Sequence, residues 1–90
     1  MTQRDPIAPA PYDPQRGPQD LGQMWLLEKF SDEVVLRLWT HPDGWELKLL
    51  NPVEMQRSIV VRRKDEIFAE ATKLEHELKS HGWIDPTSAQ

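Results

Sequence analysis

The chain of 90 residues has no cysteine. Disulfide staples, thiol nucleophiles and cysteine-based zinc sites are therefore excluded, and a cytoplasmic setting is favoured. Glycine is scarce, with four residues scattered along the chain, and none forms a loop that cradles phosphate. No apolar run approaches the ~20 residues that span a bilayer, and the N-terminus has no signal-peptide core, so no membrane contact is expected. Basic residues are outnumbered 15 to 11, for a formal net charge of -4. A dedicated nucleic-acid binder carries the opposite balance.

Proline and tryptophan are plentiful. Five of the eight prolines (Pro6, Pro9, Pro11, Pro14, Pro18) sit in the opening stretch "MTQRDPIAPAPYDPQRGPQD". That stretch lacks hydrophobic periodicity, which predicts a disordered, partly polyproline arm over residues 1–22. Pro11, Pro14 and Arg16 fit a P-x-x-P-x-R docking pattern, although a solubilising tail is the simpler reading. Residues 23–84 form the foldable part, followed by a disordered tail over 85–90. A domain of about 60 residues buries only ~60% of its unfolded surface, so oligomerisation is an expected aid to stability.

The apolar pattern predicts four strands and a helix. "QMWLLEKF" (23–30), "EVVLRLWT" (33–40), "WELKLL" (45–50) and "MQRSIVVRR" (55–63) read as strands, with turns at "SD", "HPDG" and "NPVE". The period then lengthens: Ile67, Ala71, Leu74 and Leu78 recur at three- and four-residue spacing, one stripe of an amphipathic helix. Asp65 and Glu66 suit its N-terminal end, and Gly82 followed by Trp83 suits a Schellman stop. The expected fold is α+β: a four-stranded antiparallel meander with one C-terminal helix packed on one face (β-β-β-β-α).

The "HPDG" turn sets a register that pairs Thr40 with Trp45, Leu38 with Leu47 and Leu36 with Leu49. One face is then apolar throughout (Val34, Leu36, Leu38, Trp45, Leu47, Leu49), joined by Ile59 and Val61, and should receive the helix. A two-residue first turn adds Trp25 and Leu27 to it. The other face carries Val35, Arg37, Trp39, Glu46, Lys48 and Leu50, with Met24, Leu26 and Phe30 from the first strand. Arg37 and Lys48 fall directly opposite each other, and Glu46 is the diagonal carboxylate that offsets their repulsion. So much apolar surface on an uncovered face marks a contact surface. The expected partner interface is Met24, Leu26, Val35, Trp39 and Leu50, in a homodimer or with a protein partner.

No catalytic constellation is visible. The serines lack a nucleophile-elbow context, and His41, His76 and His81 match no zinc signature. The chain is expected to be no enzyme and to use no cofactor or metal. The alternative reading is a single-stranded nucleic-acid binder using Arg37, Lys48, Arg57 and Arg62 around Trp39, since basic residues and a ring on an open sheet suit phosphate contact and base stacking. In topology alone, the strand and helix order resembles the coactivator and single-strand-binding domains of the positive-cofactor-four type. No motif of that family is matched.

The hairpin "THPDGWELKLL", the Arg-containing strand after it and the helix ending in Gly82-Trp83 together resemble a group of small uncharacterised bacterial proteins, over roughly Trp25 to Trp83. The resemblance implies a bacterial origin and this fold, and carries no activity with it. The leading expectation is a non-catalytic interaction module that self-associates through the exposed sheet face.

Overall fold

A computed structural model describes residues 10–51 and 54–86. The chain forms β1 (Asp20–Lys29), β2 (Asp32–His41), β3 (Gly44–Leu50), β4 (Met55–Val61) and α1 (Lys64–Lys79). The strands make one open antiparallel sheet in the order β1-β2-β3-β4, with the single helix after them. This is the α+β meander expected from the apolar pattern. Among the described residues, no helix is long and apolar enough to cross a membrane.

The central hairpin carries the expected register: Thr40 pairs with Trp45, Leu38 with Leu47 and Leu36 with Leu49. Pairing runs one step further, to His41 and Gly44. Gly44 has φ +138, and a Cβ there would lie 2.3 Å from the Val61 carbonyl oxygen, so only glycine lets this turn press against the end of β4. Strand alternation places Val34, Leu36, Leu38, Trp45, Leu47 and Leu49 on one face, where all are buried with Val61 and Leu27. The helix stripe of Ile67, Ala71 and Leu74 closes the same cluster, and Leu78, Ile59 and Trp83 pack at its margin. Each Val, Leu or Ile side chain of the cluster contributes about 1.5–3 kcal/mol of hydrophobic stabilisation when fully buried. The Trp25 indole N–H donates to the Ala71 carbonyl at 3.1 Å and ties β1 to the middle of α1.

Both ends of α1 are closed locally. The Glu66 carboxylate accepts the backbone N–H groups of Arg62 (3.1 Å) and Arg63 (3.2 Å). At the other end Trp83 N–H donates to Leu78 O (3.2 Å) and Gly82 N–H to Lys79 O (3.1 Å), the two bonds of a Schellman motif. The chain then runs back along β1, where Glu28 and Ile84 exchange two backbone hydrogen bonds of 2.8 Å.

Three local features differ from the sequence expectation. The first turn is Phe30-Ser31, with Lys29 paired to Asp32, in place of Ser31-Asp32. The shift moves the pairing by two residues and so preserves the faces of Trp25 and Leu27. Phe30 leaves the outer face for the turn, where it has φ 56 and is 97% exposed. Met24 also leaves the outer face: β1 has a register shift between Gln23 and Trp25, and Met24, the extra residue, packs against the core.

The N-terminal segment is the third. Residues 1–9 of the expected arm lie outside the described residues, but β1 begins at Asp20, and residues 10–19 run against the sheet. Trp45 donates its indole N–H to the Ala10 carbonyl (2.8 Å), and Gln19 and Thr40 are joined by two hydrogen bonds of 2.7 and 2.9 Å. Between these anchors the Asp13 carbonyl accepts from Arg16 and Gly17, and its carboxylate accepts from Gln15 N–H, forming a tight turn. The Pro11-to-Arg16 stretch is thus folded back on the domain. Residues 87–90 of the expected tail lie outside the described residues.

Candidate interaction surface

With α1 on one face of the sheet, no helix or strand among the described residues covers the other face. Its residues fall into rows that cross all four strands. Leu26, Val35, Leu50 and Met55 are paired in sequence from β1 to β4 and form one apolar row. At ~4.8 Å between strands, this row is about 14 Å wide. The next row is polar, with Gln23, Arg37, Lys48 and Ser58, and the third holds Asp20, Trp39, Glu46 and Val60. An open depression of about 180 Å³ lies on the apolar row, lined by Leu26, Val35 and Leu50 together with Gln23, Glu33 and Arg37.

Of the five residues expected at a partner interface, Leu26, Val35 and Leu50 lie side by side. Trp39 shares their face but stands two rows away, and Met24 has turned into the core. Two residues of this face were not anticipated: Met55, 52% exposed, and Val60, 45% exposed. The parity that puts Val61 in the core also puts Val60 outside, so that signal was present in the sequence.

Asp20, Arg37, Glu46 and Lys48 of this face are engaged with their neighbours, whereas Glu28 and Glu33 pair directly opposite each other beside the apolar row. Arg37 meets Asp20 at 2.7 Å, and this carboxylate, where Glu46 was expected, relieves the Arg37–Lys48 repulsion. Glu46 accepts from the Ser58 hydroxyl. Lys48 lies over the Trp39 ring, 4.0 Å from its centroid, a cation–π contact. The Trp39 indole nitrogen is buried with no acceptor among the described residues.

The cations of the nucleic-acid alternative do not share one surface. Arg37 and Lys48 are adjacent on the outer face. Arg57 pairs with Leu49 and so has the parity of the opposite face, where it forms a two-pronged ion pair with Glu77 of α1, at 3.2 and 3.4 Å. Arg62 follows β4 at the end of the sheet near the β2–β3 turn. The histidines are also dispersed: His41 precedes that turn and accepts from Asp43 N–H at 3.0 Å, while His76 and His81 lie near the end of α1. Among the described residues, no group of three His, Asp or Glu side chains is placed to hold a metal ion. Comparisons with family models, with curated proteins and with solved structures found no match to this chain.

Proposed function

We propose that this chain is a non-catalytic interaction module that pairs with a second copy of itself through the outer face of its sheet. The observation that carries the reading is the apolar row Leu26–Val35–Leu50–Met55, which crosses every strand on the side that α1 leaves bare. A two-fold axis through this row packs it against itself, the isologous arrangement of most homodimers. The flanking charges support this, because Arg37 and Lys48 are already balanced by Asp20 and the Trp39 ring and bring little repulsion into the contact.

Four strands of this length present roughly 500 Å² of face. Two copies would bury about 1,000 Å², at the small end of specific interfaces, so micromolar rather than nanomolar pairing is expected. The nucleic-acid alternative has weaker support, since Arg57 is held on the helix side and Trp39 lies under Lys48.

Sedimentation equilibrium tests the reading. The wild-type chain should show a monomer–dimer equilibrium at concentrations on the order of 100 µM. Val35→Glu should be monomeric there while retaining its helical and strand circular-dichroism signal. A wild-type monomer throughout, or an unchanged dimer in the variant, refutes the proposal.

A further inference from the structure

At the opposite end of the sheet from the apolar row, the N-terminal segment and the β2–β3 turn enclose an open cleft of about 400 Å³. That volume lies in the range of small-molecule sites, about 300–1,000 Å³. Tyr12, Pro42 and Trp45 contribute flat side chains to its lining, and His41 and Arg62 contribute polar ones.

Three observations give the cleft a chemical character. First, its lining contains no carboxylate, in a chain where acids outnumber bases; two other surface depressions both include Glu33. Second, Arg62 is a free cation. Arg37, Arg57 and Arg63 each have a carboxylate partner, in Asp20, Glu77 and Asp65, whereas Arg62 has none among the described residues. Third, the lining is held in place. Gly44 is pressed so closely on Val61 and Arg62 that a Cβ would lie 2.9 Å from Arg62 Cα, and Glu66 holds the Arg62 backbone N–H. The Tyr12 segment is fixed by the Trp45–Ala10 bond and the Asp13 turn. His41 uses Nδ1 to accept from Asp43, which leaves Nε2 as a donor.

Flat lining side chains, no carboxylate among the lining residues and one guanidinium without a carboxylate partner among the described residues suit a flat anion. We infer that the cleft binds a small aromatic anion, a ring bearing a carboxylate or a phosphate, with the ring against the flat side chains of Tyr12, Pro42 and Trp45 and the charge at Arg62. Arginine suits either head group because its fork matches both geometries. The site is independent of the outer face and of any dimer formed there.

The full-length chain, labelled with ¹⁵N, is titrated with benzoate and with phenyl phosphate, and separately with benzamide and inorganic phosphate. One or both aryl anions should shift the Gly44 amide and the Trp45 indole N–H saturably, with a dissociation constant on the order of 1 mM, as expected for so few atoms. Binding by only one of them identifies the head group. Benzamide and inorganic phosphate should bind at least about tenfold more weakly, and so should Arg62→Gln challenged with the aryl anions, since a charge-assisted pair is lost. Should Arg62→Gln fail to fold, Tyr12→Ala and Arg62→Lys take its place, the first weakening binding and the second retaining part of it. Absence of saturable shifts, equal binding of benzamide or of phosphate alone, or undiminished affinity in the variants overturns the inference.

Discussion

Phe30 shows how far a single residue can depart from its local preference. A bulky L-residue at positive φ costs about 1–2 kcal/mol, and a ring that is 97% exposed makes few contacts to offset it. From sequence, Ser31 and Asp32 are the better turn formers, which is why the turn was expected one residue later. The core decides otherwise: pairing Leu27 with Val34 and Trp25 with Leu36 carries Phe30 into the bend. Replacing it with asparagine, which tolerates this conformation, should raise stability by about 1 kcal/mol. The urea midpoint measures this, and an unchanged or lower midpoint contradicts the strain. By contrast, the inward direction of Trp45 was legible in full, because the Pro42-to-Gly44 turn and simple alternation determine it.

Between elements, the Arg57–Glu77 pair joins β4 to α1 across the margin of the core. The hydrogen bond from Arg57, and after it the Arg57 charge, holds the Glu77 carboxyl below its ordinary value, with smaller contributions from His81 and Lys73. A carboxyl with a depressed folded-state pKa stabilises the fold above its unfolded pKa, and that contribution disappears as pH falls through the lowered value. In Arg57→Gln the Glu77 midpoint, followed by carboxyl ¹³C shifts, should move up toward the ordinary carboxylate range. An unmoved midpoint would show that the ion pair is not formed in solution. This pairing was readable from parity, since Arg57 lies two residues before Ile59 and so shares the helix side. The basic cluster that the sequence suggests ignores that alternation. Met24 was not readable in this way, because a bulge in β1 breaks the alternation and leaves no compositional mark.

For the molecule as a whole, the proline-rich opening is part of the domain from Ala10 onward. It resembles a tail because its attachments are made by backbone groups, Ala10 O, Gln19 N and Gln19 O, which leave no apolar period in the side chains. A chain beginning at Gln23 loses the partners of the Trp45 and Thr40 donors and the first residues of β1. It should be destabilised by roughly 2–4 kcal/mol, a large share of the total for so small a domain. Thermal denaturation decides this, and an unaltered midpoint would mean that the segment is dispensable. The two margins of the sheet are also unequal. On the β1 side, two irregularities and the Ile84 bridge disturb the line of backbone groups, whereas β4 has no neighbouring strand beyond it among the described residues. Fibrous growth by edge pairing alone requires a receptive border at both ends of each unit, and a single chain with one receptive border can then only join head to head and stop at two.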